Sequence, residues 1–164
     1  MPKLRLLPAL VAILACGLAH AATPTKAAEF VGTDEPFASN AIYFVMTDRF
    51  VNGDPSNDQR NQGGAHHTFD IPVPGPNGES ANIGYLGGDF KGVLNNAGYI
   101  HDMGFGAVWI TPIVQNPDEP FSGGDPVSWD SFWTDQGKTG YHGYWGVNFY
   151  KLDPHLPSKN LDFT

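Results

Sequence analysis

Two stretches of this sequence hold residue types that could do chemistry. The first is Asn52-Gly53-Asp54-Pro55-Ser56-Asn57-Asp58, joined at a distance by Gly87-Gly88-Asp89. Hard cations such as calcium take about six to eight oxygens from carboxylates, amide side chains and backbone carbonyls. The loop offers such donors at close spacing, with Gly and Pro to bend it. It is not an EF-hand, because counting Asn52 as the first position puts Gly63 where the bidentate Glu should stand, and Pro55 interrupts the loop. Asn, Asp, Gly and Pro are also ordinary turn formers. The residues alone leave a calcium loop and a plain turn both open, with Asp89 the residue able to tilt the balance.

The second stretch is Thr139-Gly140-Tyr141-His142-Gly143-Tyr144-Trp145-Gly146, with Trp129, Phe132 and Trp133 upstream. Sugar rings lay apolar C–H faces against aromatic rings while an imidazole exchanges hydrogen bonds with their hydroxyls, so this cluster could be a carbohydrate platform. Core packing under a loop is the competing reading. His66-His67 lacks the spacing of a zinc site. Gly84 to Gly92 matches neither the dinucleotide fingerprint nor the phosphate loop, which removes nucleotide binding. Glycosidases need a pair of carboxylates. Only Asp48 stands at a strand end, and Arg49 beside it makes a structural ion pair the simpler reading.

These residues need elements to position them. Ala41 to Asp48 is a short apolar run rich in β-formers, the pattern of a parallel strand covered on both faces. Asp89 can N-cap a helix whose Phe90, Val93, Leu94, Ala97 and Ile100 share one face, closed by Gly104. Ala107 to Thr111 follows as a second buried strand, stopped by Pro112. Strand, helix, strand predicts a βαβ unit with parallel strands and a right-handed crossover. The long loops 49–88 and 112–148 both leave carboxyl ends of those strands, where α/β folds place their sites. A short extended piece runs from Val147 to Leu152. Two strands and one helix cannot cover one another, so the chain reads as truncated.

Composition is globular, with 41% apolar and 16% charged residues, and 20 Gly and 14 Pro predict long loops. Lys3 and Arg5, an apolar run from Leu6 to Leu18 and Ala19-His20-Ala21 read as a signal peptide over residues 1–21, followed by a linker over 22–38. The expected location is secreted or periplasmic. Cys16 also sits in a lipoprotein-like box, so lipid anchoring is the minority alternative. No run reaches the roughly 20 apolar residues of a membrane span. Without Lys3 and Arg5, seven basic residues face 17 acidic ones, a net charge of −10. That balance disfavours nucleic acid and anionic membranes and suits cations and neutral ligands. With no cysteine after residue 21, an exported, loop-rich domain needs another staple, and a bound cation is the candidate.

Four segments in order, YFVMTDRFVNGDPSND, GGDFKGV, GYIHDMGFGAVWITPI and GYHGYWGVNFYKLDPHL, together resemble the amino-terminal part of the α-amylase family, glycoside hydrolase family thirteen. The resemblance spans residues 41–164. It implies an α/β fold, the first β-α-β part of a (β/α)8 TIM barrel left incomplete, with residues 39–164 as the amino-terminal part of the catalytic barrel. It implies retaining hydrolysis of α-1,4-glucosidic bonds in starch-like polysaccharides by the full-length protein. The alternatives are an α-glucan transglycosylase such as a cyclodextrin glucanotransferase, or a noncatalytic calcium-stabilised glucan-binding module. It further implies a calcium ion held by Asn52, Asp54, Asn57, Asp58, the carbonyl of Gly87, and Asp89. Tyr144 would stack on the sugar beside the scissile bond and His142 would bond its hydroxyl, with Tyr141 and Trp145 in support. The family's catalytic carboxylates would lie beyond Thr164, so residues 22–164 alone are expected to be inactive, and a monomer is expected. The segment Pro117 to Lys138 is longer and more aromatic than the resemblance leads one to expect.

Overall fold

The computed structural model describes residues 36–158. In chain order its elements are β1 (Ile42–Val45), β2 (Pro72–Pro74), β3 (Ser80–Asn82), α1 (Phe90–Asn95), α2 (Ala97–Asp102), β4 (Ala107–Ile110), β5 (Val114–Gln115) and β6 (Asn148–Leu152). Short 3-10 turns stand at Pro36–Ser39, Thr47–Arg49 and Pro55–Asn57. The contacts divide the chain between Ala38 and Ser39, and the account below concerns the unit from Ser39 onward. The expected signal peptide and all of the expected linker except residues 36–38 lie outside the described residues.

β1 and β4 pair in parallel, Ile42 opposite Ala107 and Val45 opposite Ile110, with α1 and α2 on the connection between them. This is the expected βαβ opening of a (β/α)8 barrel, with two parallel strands and an unclosed sheet. Both strands are less covered than their apolar runs predict. Tyr43 packs edge-on against Phe50 and Phe105, but Phe44 and Trp109, which meet edge to face across the pair, are 54% and 62% exposed. A doubly covered parallel strand needs layers on both faces, and a two-stranded sheet with one helical layer does not supply them.

The helix expected as one piece is two. Asp89 caps α1 as predicted, its side chain accepting from the Gly92 N–H. The helix then breaks at Asn96, whose backbone leaves helical geometry and whose Nδ2 donates to the Gly92 carbonyl at 2.8 Å. Asn competes with the helix for its own backbone groups, which is why it interrupts helices that apolar periodicity alone would continue. Of the predicted apolar face, Ile100 is buried and Leu94 is 73% exposed. Paired bonds from Gly104 N–H to His101 O and from Phe105 N–H to Ile100 O close α2 in a Schellman motif, at the predicted stop.

The two long loops carry small elements of their own. β2 and β3 form an antiparallel hairpin in the first, and β5 of the second pairs antiparallel with β6. Buried apolar side chains are few (Val45, Val73, Ile83, Tyr85, Ile100 and Leu156) and are joined by buried polar ones, among them Asp48, Asn57, Asp58, Asp89, Asn116, Asp153 and His155. The centre of this unit is therefore a polar network, lying where the strands deliver their loops.

Candidate functional site

Asp48, one turn beyond β1, organises the loops around it. Its carboxylate accepts the Leu86 N–H with both oxygens and the Gly87 N–H with Oδ1, each at 3.0 Å, and pairs with Arg49 Nη1 at 3.3 Å. The ion pair read from sequence is present, and the two amides are an addition that the neighbouring Arg did not signal. Burial raises the Asp48 carboxyl to about 6, against the pull of Arg49 and of the two amides. Arg49 also reaches the aromatic stretch, its guanidinium lying 3.7 Å from the centre of the Tyr141 ring. The Asp48-Arg49 pair thus touches both candidate sites at once.

The oxygen-rich loop is closed by Asp89. Its Oδ1 accepts from Gly53 N–H and Gly92 N–H at 3.1 and 2.7 Å, and its Oδ2 from Asp54 N–H and Asn57 Nδ2 at 2.8 and 3.2 Å. A carboxylate has about four lone-pair positions, so Asp89 is fully engaged in tying the loop to the start of α1. Asp54 is turned to Ser56, whose N–H and Oγ donate to its Oδ1, and these bonds hold its carboxyl at about 2. Asp58 accepts from Asn52 Nδ2 and from Arg60, each at 2.7 Å. Gly87 has φ +88, and a Cβ there would lie 2.4 Å from Asn52 Nδ2 and 2.5 Å from Asp58 Oδ1, so only glycine allows this approach.

Among the described residues no three carboxylate or imidazole groups gather as a metal cluster. The donors that remain are amide oxygens. Asn57 Nδ2 is committed to Asp89 and to the Pro157 carbonyl, and Asn52 Nδ2 to Asp58, which fixes both amide orientations. Their oxygens, Asn52 Oδ1 and Asn57 Oδ1, are buried with no donor. A buried acceptor without a donor is what a hard cation would satisfy, and the loop fits calcium on that ground.

The aromatic stretch is a surface as well as a turn. Gly143 N–H bonds the Gly140 carbonyl at 2.8 Å, and Gly143 has φ +81 with the Pro112 carbonyl 2.3 Å from where a Cβ would stand. Beyond it the Tyr144 N–H donates to His142 Nδ1 at 3.0 Å. That bond sets the tautomer, leaving the Nε2 proton as the imidazole's free donor. Burial, then the charge of Lys138, lowers the His142 pKa and favours this neutral form. The rings of Tyr141, Tyr144 and Trp145 stand 5.4, 5.9 and 4.8 Å from the imidazole, Tyr144 nearly parallel to it and Trp145 perpendicular. Tyr144 is 60% exposed, which core packing does not explain. By contrast Trp129, one of the upstream rings, closes over Gly75 at 2.9 Å from its would-be Cβ.

Four residues that hold this stretch escaped the sequence reading. Asn116 Oδ1 accepts the Trp145 N–H at 2.9 Å, and the Asn116 N–H donates to Asp153 Oδ2 at 2.9 Å. Asp153 Oδ1 bonds His155 Nδ1 at 2.7 Å, and the His155 ring stacks on Tyr85 with centres 3.7 Å apart. Burial works to raise the Asp153 carboxyl, but the bond and charge of His155 with the Asn116 amide bring it below its ordinary value. No local motif marks this chain of contacts, because its members stand 29 to 37 residues apart in Asn116–Trp145 and Asn116–Asp153. His66 and His67 are exposed on the first loop.

Comparison with known proteins bears on the whole arrangement. Residues 44–160 match the family model of the alpha amylase catalytic domain. A cyclomaltodextrin glucanotransferase of Klebsiella oxytoca is 36% identical over 138 residues, 84% of this chain and 17% of that protein. An alpha-amylase of Niallia circulans is 33% identical over 157 residues, 93% of this chain and 26% of its own. The crystal structure of CldA, a cyclomaltodextrin glucanotransferase, aligns at 34% identity with a TM-score of 0.49, over 73% of this chain and 21% of its own. The chain thus spans about a sixth to a quarter of the length of these two curated relatives.

Proposed function

This chain belongs to the alpha amylase catalytic-domain family, and on that premise we propose that the protein carrying it cleaves α-1,4-glucosidic bonds of starch-like glucans with retention of configuration. The observation that carries the reading is the pairing of an exposed Tyr144 ring with a neutral His142 whose tautomer the Tyr144 amide sets. A stacked glucosyl ring needs a flat apolar face and a directed donor to its hydroxyls, and this pair offers both. Tyr141, under Arg49, and Trp145, on Asn116, keep the pair in place.

Retaining glycosidases break the bond with two carboxylates, one as nucleophile and one as acid and then base. The residues described here form a binding wall for such chemistry, and Asp48 is occupied in holding Leu86, Gly87 and Arg49. Transfer to a sugar acceptor is the second reading, favoured by the cyclomaltodextrin glucanotransferases among the relatives. Export to the outside of the cell and a monomeric state belong to the same proposal, from the leader-like residues 1–21 and from the resemblance.

Calcium is part of it. Asn52 and Asn57 would hold the ion through their unpaired amide oxygens, with Asp54, Asp58 and the Gly87 carbonyl as the further oxygens of the loop, whereas Asp89, named by the resemblance, has both oxygens taken up by the Gly53, Asp54, Gly92 and Asn57 N–H groups and would serve by tying the loop to α1. When bound, the ion would supply the cross-link between the first long loop and the start of α1 that a chain with no cysteine after Cys16 cannot make by a disulfide.

The test is hydrolysis of maltoheptaose by the protein carrying this chain, with the anomer of the first product read by NMR. The α-anomer is expected, with cyclic or elongated products appearing if transfer competes. Tyr144→Ala should lower kcat/KM roughly twofold to thirteenfold, the worth of about 0.5–1.5 kcal/mol of ring contact. No cleavage by the wild type, or a β-anomer product, overturns the reading.

A further inference from the structure

The sequence holds two Asn-Gly pairs, Asn52-Gly53 and Asn77-Gly78, and the fold treats them in opposite ways. An asparagine before a glycine can close on itself, because with no Cβ on the glycine little bars its amide nitrogen from the asparagine side-chain carbonyl. Closure needs an amide side chain free to turn, a following N–H free of other bonds, and room for the backbone around both.

Asn52-Gly53 meets none of these conditions. Asn52 Nδ2 donates to Asp58 Oδ1 at 2.7 Å and Gly53 N–H to Asp89 Oδ1 at 3.1 Å, and both acceptors are buried carboxylates. A Cβ on Gly53 would stand 2.3 Å from the Gly92 nitrogen, so the backbone there is hemmed in. Freeing this pair means opening the oxygen-rich loop.

Asn77-Gly78 is the exposed tip of the β2-β3 hairpin. The hairpin is closed below it by Gly75 N–H to Glu79 O at 2.7 Å, and Trp129 covers Gly75. Gly78 has φ +85, nothing lies within 4 Å of where its Cβ would stand, and its N–H meets no acceptor among the described residues. The Asn77 side-chain amide makes one long bond, from Nδ2 to Glu79 Oε1 at 3.4 Å, while the Asn77 backbone N–H donates to Glu79 Oε2 at 2.7 Å. Both partners are exposed, so water competes for these bonds and the tip opens at small cost.

We propose that Asn77 is a site of spontaneous deamidation in the folded protein, and that the bonds to Asp58 and Asp89 shield Asn52-Gly53 from the same reaction. The Gly78 nitrogen gives its proton to solvent and bonds to Asn77 Cγ, the Cγ–Nδ2 bond breaks, and Nδ2 leaves as ammonia with a proton taken from water. Water then opens the cyclic imide at either carbonyl. The product is an aspartyl residue or an isoaspartyl one, in which the main chain runs through the side-chain carbon. Nothing is oxidised or reduced, and water is the only co-reactant. Either product sets a second carboxylate beside Glu79, and the isoaspartyl form lengthens the turn that Gly75 and Glu79 close.

In the experiment the protein carrying this chain is kept folded at mildly alkaline pH, where loss of the Gly78 proton is favoured. It is then digested under acid conditions that halt the reaction, and the peptides holding Asn52 and Asn77 are compared by mass spectrometry. Expected is conversion at Asn77 roughly tenfold or more ahead of conversion at Asn52, with the gap closing in concentrated urea, where both pairs are released. Asn77→Gln, which would have to close a larger ring, should lose the acidic product that isoelectric focusing detects in the wild type. Equal conversion of the two pairs in the folded protein overturns the proposal, as does no conversion at Asn77 before urea is added, or acidic product accumulating in Asn77→Gln at the wild-type rate. A gap that urea leaves unchanged overturns the shielding of Asn52 by the fold.

Discussion

Asp48 shows how burial and hydrogen bonding contend at one residue. Its carboxyl, ordinarily near 3.8, is raised to about 6 by burial, although Arg49 and two amides favour the anion. A group whose pKa is higher in the folded state holds its proton more tightly there, so its contribution favours folding at low pH and is lost as pH rises from the unfolded value through the folded one. Between about pH 4 and about pH 6 the wild type should therefore lose stability relative to Asp48→Asn, which has no proton to release. Urea unfolding of both proteins across that window measures the gap, and parallel curves would refute the assignment. The Arg49 ion pair was legible from adjacency alone. The Leu86 and Gly87 amides were not, because they reach Asp48 from 38 and 39 residues away.

At the scale of elements, β5 and β6 act as a bracket for the aromatic loop. Asp153, just after β6, holds the Asn116 amide just after β5, and Asn116 holds Trp145. Gly140 packs against Asn116 so closely that a Cβ would lie 2.7 Å from the Asn116 Cβ. Replacing Asn116 by Ala leaves the Trp145 N–H without its acceptor, at a cost of about 1–3 kcal/mol. Thermal unfolding should shift down accordingly, and KM for maltoheptaose should rise as the platform loosens. A destabilised variant with unchanged KM would confine Asn116 to a structural role. The strands β1 and β4 were legible as short apolar runs rich in β-formers. The break between α1 and α2 was masked by a continuous apolar spacing, because periodicity says where a face could lie and not whether a single Asn interrupts it.

For the molecule as a whole, calcium is the staple to test. An ion bound to the native state alone stabilises it by about 2.7 kcal/mol at a hundred times its Kd. A chelator should lower the melting temperature of the wild type, and added Ca²⁺ should restore it. Asn52→Ala removes one of the two unpaired oxygens, and its melting temperature should respond little to either treatment. A variant that responds like the wild type would sink the assignment of Asn52. The same loop shows why Asp89 could be placed only in part from sequence. Its capping of α1 follows from position, while its three bonds to Gly53, Asp54 and Asn57 depend on the loop folding back across more than thirty residues.

By itself the sequence determined the βαβ order, the start and stop of the helical crossover, and which two stretches could meet a cation and a sugar, since these follow from local propensity and residue chemistry. The tertiary structure alone decided what each of those residues does with its hydrogen bonds. It committed Asp89 to four N–H groups, left two asparagine oxygens unpaired, and set the His142 tautomer through its neighbour's amide. It also locked Asn52-Gly53 between two buried carboxylates and left Asn77-Gly78 open, a difference that only a folded chain makes. Hydrogen bonds and open space depend on distances that sequence separation does not encode.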